Sequence, residues 1–236
     1  MVYNWINSIQ SRLTPAFCLL CGHAAEQDLL CHTCRESLPL AESRCQRCAV
    51  YLPAPNASLC GHCISKPPPQ DAAYAAFRYR PPVRSLLQDL KYNHRLHLAN
   101  WLADRFCETL SASRHPIQVD CLIPVPLHPG RQRLRGFNQA TELARRISRN
   151  LKLTMEAGCL QRRRATPKQT GLDMHARKQN LRGAFDLDKS RLPERCALVD
   201  DVVTTGATSR ELATLLKNNG VKHVEIWSIA RADAPG

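Results

Sequence analysis

No run of apolar residues in this 236-residue chain approaches the ~18 that a membrane helix needs, so a spanning segment is not expected. The first twelve residues carry Trp5, Ile6 and Ile9 but no basic stretch leading into a long apolar one. They read as a short amphipathic helix rather than a secretory leader, and a cytoplasmic protein is expected. Aromatics are also scarce, at 6% of residues, which limits base stacking as a mode of recognition. Acidic residues are thinnest between positions 126 and 182, where 14 Lys/Arg stand against three Asp/Glu and supply most of the formal +13 charge. A merely solvated face mixes both signs. This segment instead attracts polyanions, either diphosphate or nucleic acid. With 44% hydrophobic residues, there is enough apolar material for one large or two modest domains.

Cysteine is the residue in excess. Eight of the twelve fall into four CxxC pairs: Cys18/Cys21, Cys31/Cys34, Cys45/Cys48 and Cys60/Cys63. Two-residue spacing lets both thiolates of a pair reach one tetrahedral ion, and two pairs complete a closed four-sulfur shell. Nine residues separate the first two pairs and eleven the last two, lengths that suit a short hairpin. Two zinc ribbons in series are expected, and spacing alone leaves a cross-braced pairing open. With all four ligands from protein, each zinc is structural. Each such site carries −2, lowering the net charge of the folded chain to about +9. His23, His32 and His62 lie nearby but are not needed as ligands. Cys107, Cys121, Cys159 and Cys196 stand alone in apolar surroundings and read as core.

The stiff run Lys66-Pro67-Pro68-Pro69-Gln70 reads as a linker at 67–70, dividing a zinc module at 1–66 from a second domain at 71–236. Beyond it, a strand is expected over Asp71–Tyr79, then helices carrying Val83 to Leu90 and Leu96 to Leu110. Lys91, His94 and Arg95 end the first of these helices. They serve either as cations at its C-terminus or as phosphate contacts. A buried strand at Val119–Val125 leads into a loop with Arg131, Arg133 and Arg135 at alternate positions, turned by Gly136. Three guanidinium groups in a loop between strand and helix suit a diphosphate clamp. Met155–Leu160 and Gly183–Leu187 read as a strand pair flanking a basic excursion at about 161–182, with Arg164, Lys168 and Gln169. A polar loop of that length is usually functional.

The chain is organised around Leu198-Val199-Asp200-Asp201-Val202-Val203-Thr204-Thr205-Gly206-Ala207-Thr208. A buried strand delivers two carboxylates, then a loop of small hydroxyl residues opens into a helix from about Ser209 to Asn219. The first N–H groups of a helix lack internal partners and sit at the positive end of its dipole, so a phosphate is held there. Thr204, Thr205 and Thr208 add hydroxyls, and Gly206 allows close approach. The carboxylates repel phosphate and suit a ribose diol or a magnesium ion.

This stretch resembles the phosphoribosyl-diphosphate (PRPP) loop of type I phosphoribosyltransferases. Thr204 stands where purine-salvage members tend to have an Asp acting as general base, so the loop itself supplies no base. The whole pattern resembles the ComF/GntX family. It rests on the four CxxC pairs, the proline linker and Pro124-Val125-Pro126 followed by Arg135-Gly136-Phe137-Asn138-Gln139. Thr166-x-x-Gln169-Thr170-Gly171-Leu172, Arg177-x-x-Asn180-Leu181-Arg182-Gly183-Ala184-Phe185 and the Asp-Asp loop complete it. The resemblance implies an α/β phosphoribosyltransferase-like domain with a mainly parallel sheet flanked by helices, preceded by a double zinc ribbon. It also implies a role in DNA uptake or utilisation. On that reading PRPP with magnesium contacts Asp200, Asp201, Val202, Thr204, Thr205, Gly206, Ala207 and Thr208. Lys91, Arg131, Arg133 and Arg135 take the diphosphate; Asp200, Asp201 and Arg135 carry any chemistry; residues 161–182 form a closing hood. Three function classes follow: a phosphoribosyltransferase of unidentified acceptor, a module binding single-stranded DNA, and an adaptor docking DNA-uptake or recombination proteins.

Overall fold

The computed structural model describes residues 16–25, 28–54, 57–113, 115–163 and 183–233. The expected N-terminal helix, and Arg164, Lys168 and Gln169 of the expected hood, lie outside them. The chain forms two compact units, residues 1–39 and 40–236.

In the smaller unit, β1 (Ala16–Phe17) pairs antiparallel with β2 (Ala24–Ala25). Between them Cys18–Cys21 makes a tight knuckle, in which the Gly22 N–H donates to the Cys18 carbonyl at 2.9 Å. Gly22 has φ +72°, a conformation that glycine adopts without strain. α1 (His32–Glu36) starts at Cys31 and brings Cys34 back beneath it.

The larger unit opens with the turn Cys45–Cys48 and α2 (Gly61–Ser65), whose first residue follows Cys60. β3 (Ala72–Arg78), α3 (Val83–Tyr92), α4 (His97–Ala112), β4 (Cys121–Pro124), α5 (Pro129–Arg135), α6 (Gln139–Leu151) and β5 (Thr154–Met155) follow. The chain then runs through β6 (Leu160–Arg162), β7 (Phe185–Leu187), β8 (Arg195–Val203), α7 (Ala207–Asn218) and β9 (His223–Arg231). Five strands make one sheet in the order β3-β9-β8-β4-β5, every adjacent pair parallel. Parallel sheets need cover on both faces, and β3 accordingly is buried from Ala73 to Phe77. Its sequence shows no alternation of polarity, because both faces are packed. On one face Val224, Ile226, Leu198, Cys196 and Ile123 join Leu212 and Leu216 of α7 in one apolar cluster. On the other, Phe106 of α4 packs edge-on against Tyr74 at 5.3 Å and lies 5.7 Å from Trp227. α6 buries Ala140, Leu143, Ala144 and Ile147, the one-sided spacing of a helix laid on a sheet.

Three segments depart from the sequence expectation. Met155 does not pair with the strand near Gly183; β5 extends the main sheet beside β4, and β6 pairs antiparallel with β7. β8 runs on through the acid pair to Val203, so Asp200 and Asp201 stand within the strand end rather than after it. The arginine segment is a short helix, α5, and not a loop. His128 Nδ1 accepts from the Gly130 N–H at 3.1 Å, Pro129 occupies the first turn, and Gly136 at φ +79° ends it. Cys107, Cys121, Cys159 and Cys196 are buried, and burial pushes the Cys159 thiol up to about 12. No helix among the described residues is long and apolar enough to cross a membrane.

Candidate phosphate loop and cysteine centres

The C-terminal ends of β8 and β4 and the C-terminal end of α3 meet at one edge of the sheet. Asp201 is buried, and its carboxylate is ion-paired with Lys91 Nζ of α3. Gln139 Nε2 donates to its other oxygen at 3.4 Å, and Gln139 Oε1 accepts from Arg135 Nη1 at 2.6 Å. Arg135 in turn lies over the Tyr92 ring, 5.5 Å from its centroid. A circuit therefore runs from the acid pair through Gln139 to the arginine helix and back to α3. Asn138 anchors it by donating to the Val125 carbonyl at 3.0 Å while capping α6 through the Ala140 N–H.

The two carboxylates are driven apart. Burial alone raises both; for Asp201 the Lys91 ammonium overrides it and holds the acid below its ordinary range. Asp200, half-buried, is raised well above that range by burial and by the charge of Asp201. The Lys91 ammonium sits on the Asp201 carboxylate, and the outer acid, Asp200, holds its proton more tightly than an ordinary carboxylate.

After Val203 the chain turns through Thr204 and Thr205 to Gly206, whose φ of +73° sets the start of α7. Thr205 Oγ1 accepts from the Ala207 N–H at 3.4 Å. A Cβ on Gly206 would come within 3.2 Å of Arg210 Nη1, so Arg210 leans over the loop. The next N–H groups of the first turn have no acceptor within the helix, which is the arrangement that receives a phosphate.

Of the three arginines, Arg131 and Arg135 share a face of α5 at helical spacing, whereas Arg133 is exposed and lines a shallow recess with Pro129, Gln132 and Gly136. The helix that replaces the expected loop separates them. Arg162, at the end of β6, lies within electrostatic reach of both Arg131 and Asp200. Sequence reasoning did not place Gln139, Arg162 or Arg210 at this site.

The eight CxxC cysteines form two sets, Cys18/Cys21/Cys31/Cys34 and Cys45/Cys48/Cys60/Cys63, each with its ligand atoms within 4.8 Å of one another. The pairing is sequential, not cross-braced. Cys21–Cys31 and Cys48–Cys60 sulfurs are each 3.7 Å apart. A tetrahedral ion with metal–sulfur bonds of about 2.3 Å needs roughly 3.8 Å between sulfurs, so both sets fit zinc. In the second set the Cys48 thiol and, against burial, backbone N–H groups including that of Cys60 hold Cys45 down to about 4.

The description "double zinc ribbon domain" matches residues 9–64. A DNA utilization protein YhgH from Shigella flexneri is 36% identical over 227 residues, covering 92% of this chain and 97% of that one. Competence protein F from Haemophilus influenzae is 35% identical over 179 residues, 73% of this chain and 78% of that one. The chain belongs to the ComF/GntX family. A purine phosphoribosyltransferase from Pyrococcus horikoshii Ot3 aligns with 56% of this chain and 83% of its own, at 16% identity and a TM-score of 0.34. The phosphoribosyltransferase-like assignment rests on the parallel sheet and on the family.

Within this ComF/GntX chain the structure also gathers aromatics that the sequence scatters. Phe137 is the one Phe, Trp or Tyr between positions 126 and 182. Yet α3 brings Tyr92, 66% exposed, against Arg135, and His94 packs 6.1 Å from Phe137. Tyr92 and His94 come from some 40 positions earlier, which is why a count within the basic segment missed them.

Proposed function

We propose that the larger unit binds PRPP with magnesium and acts in DNA utilisation. The observation that carries this reading is the adjacent acid pair, with Asp201 ion-paired to Lys91, beside a glycine-started helix at one sheet edge. Asp200 takes the ribose hydroxyls or magnesium, and Asp201, locked to Lys91 and Gln139, holds the floor of the site. Thr204 to Thr208 take the 5-phosphate, and Arg135 with Arg131 takes the diphosphate. Cations placed where the departing diphosphate gathers charge stabilise its release, so the reaction class is displacement at the ribose anomeric carbon. The loop carries no base, so the acceptor arrives already nucleophilic or brings its own. The names of the relatives, DNA utilization and competence proteins, support the cellular role.

The two halves of the ligand provide the test. Ribose 5-phosphate should bind through the loop alone and be lost in Gly206→Ala, where the left-handed backbone costs about 1–2 kcal/mol and the new Cβ crowds Arg210. Inorganic diphosphate should bind that variant normally and fail on Arg135→Ala. Equal loss of both ligands in both variants would mean that the site is not divided this way. Diphosphate release in a screen of nucleobases and amines then identifies the acceptor.

A second reading is favoured by the Tyr92, His94 and Phe137 edge beside Arg135, which combines aromatic faces with cations as single-strand binders do. A labelled oligothymidine should bind with an affinity that drops steeply with salt. It should weaken on Tyr92→Ala while PRPP binding persists.

A further inference from the structure

One buried side chain joins the second cysteine centre to the phosphate loop. Arg231, the last residue of β9, is 9% exposed and spends its guanidinium on four carbonyl oxygens. Nε donates to Cys48 at 2.9 Å. Nη1, with two hydrogens, is shared among the carbonyls of Val203 at 3.0 Å, Ala232 at 2.9 Å and Thr204. Cys48 is a ligand of the second four-sulfur set; Val203 and Thr204 are the strand end and the first residue of the loop. The Val203 carbonyl also accepts from the Ala232 N–H at 3.0 Å, so the loop's origin hangs on two donors from one short segment. That segment is fixed from behind, because Asp233 accepts from Arg78 and Arg80 at 2.8–3.1 Å.

The cysteine turn is equally fixed to the sheet. The Gln46 carbonyl accepts from the Ala73 N–H at 2.7 Å, and the Arg47 carbonyl from Gln70 Nε2 at 2.8 Å. Ala49, at φ +57°, is buried in the apolar cluster that includes Ala73, Ala75 and Val203. Three successive carbonyls of the turn, at 46, 47 and 48, thus have partners in the phosphoribosyltransferase-like fold. The spacing and direction of those carbonyls depend on Cys45 and Cys48 being held on one ion.

We propose that the second cysteine centre is a buttress of the phosphate loop. Metal at Cys45/Cys48/Cys60/Cys63, transmitted through Arg231, holds the Thr204 and Val203 carbonyls so that the N–H groups beyond Gly206 stay aimed at the ligand. Arg231 is a positioning residue. Its Nε and Nη1 donate from two separate, rigidly held positions, one to Cys48 and the other to the loop side, which the single nitrogen of a lysine cannot reproduce. Coupling of this kind is reciprocal, so a ligand on the loop tightens the metal as much as the metal tightens the ligand. The ligand arm of the test rests on the PRPP reading; the exchange arm does not.

In the first arm, zinc release from the full-length, two-zinc protein to a chromogenic chelator is timed with and without saturating magnesium–PRPP. Cys63→Ser identifies the phase that belongs to the second centre. PRPP should slow that phase about tenfold, the scale of one charged hydrogen bond, and leave the other phase unchanged. Arg231→Lys, retaining two zinc ions per chain, should abolish the slowing. Slowing of both phases alike, of neither, or in Arg231→Lys as in the parent overturns the proposal. The second arm measures amide hydrogen exchange of peptides spanning Thr204–Ser209. Exchange should rise about tenfold in zinc-loaded Arg231→Lys, with peptides in α4 and α6 unmoved. Unchanged loop exchange overturns the buttress even if PRPP does not bind at all, and absence of PRPP binding with faster exchange would refute the ligand and keep the buttress.

Discussion

Replacing Lys91 with Met removes the cation ion-paired with the buried Asp201 while keeping most of the packing volume. Breaking a buried pair by deleting one partner destabilises by about 3–5 kcal/mol. The Lys91 side chain is 19% exposed and that of Asp201 4%, so the pair is mostly but not wholly out of water, which points to the low end, about 3 kcal/mol. A second limit comes from proton uptake. Once Lys91 is gone, Asp201 escapes by protonation, which at pH 7 costs about 4 kcal/mol for a carboxyl of ordinary pKa near 3.9. At pH 5.5 the same escape costs about 2 kcal/mol, at 1.36 kcal/mol per unit. In the parent protein the Asp201 pKa is lowered, so its stabilisation is complete above about pH 4 and is lost only as the pH falls through the lowered folded value. The deficit of Lys91→Met should therefore be near 3 kcal/mol at pH 7 and at most about 2 kcal/mol at pH 5.5. Urea unfolding of zinc-loaded protein at the two pH values measures it. Adding Asp201→Asn to Lys91→Met should recover stability at pH 7. A deficit below about 1 kcal/mol at pH 7, or one that does not shrink at pH 5.5, refutes the reasoning.

Three further outcomes are expected. Because the pKa of Asp200 is raised in the free protein, binding of magnesium–PRPP should expel a proton at pH values where this acid is still protonated; calorimetry across a pH series in buffers of different ionisation enthalpy reads it, and buffer-independent heats throughout would contradict the raised acid. Metal analysis should give two zinc ions per chain, one lost in Cys18→Ser and the other in Cys63→Ser. Glu225 is buried and accepts from His115, His223 and Trp227 at 2.8–3.0 Å, so Glu225→Ala should destabilise by about 3 kcal/mol in chemical unfolding without touching the loop; a loss of under 1 kcal/mol would show that the network is dispensable.

Much of this arrangement is written in local signals. CxxC spacing names its own chemistry, since few other arrangements bring four sulfurs to one point. The Asp-Asp-Val-Val-Thr-Thr-Gly stretch is legible as a motif because its residues are contiguous, although Asp201 finds its partners Lys91 and Gln139 far off in the chain. What was not legible depends on distance. Gln139 reads as a helix-start residue until α6 is seen to point it at Asp201, 62 positions later. Tyr92 and Arg135 meet only because α3 and α5 end at the same sheet edge. Arg231 looks like the polar end of a strand, and its four acceptors lie up to 183 positions away. The arginine segment was misread for a local reason: a Pro-Gly start and a Gly stop fit a loop as well as a two-turn helix, and His128 as a cap was the deciding feature. The pairing of β6 with β7 was anticipated only in part, because a three-residue strand carries too little pattern to fix its partner.

The central claim is that the loop from Thr204 to Thr208 and the acids before it hold PRPP. Calorimetric titration of magnesium–PRPP into the full-length, two-zinc protein tests it most directly. The account predicts saturable binding at about one site per chain, dependent on magnesium and weakened by Asp200→Asn. A folded, zinc-loaded protein that shows no saturable binding, or binding unchanged by Asp200→Asn and by omission of magnesium, would contradict it.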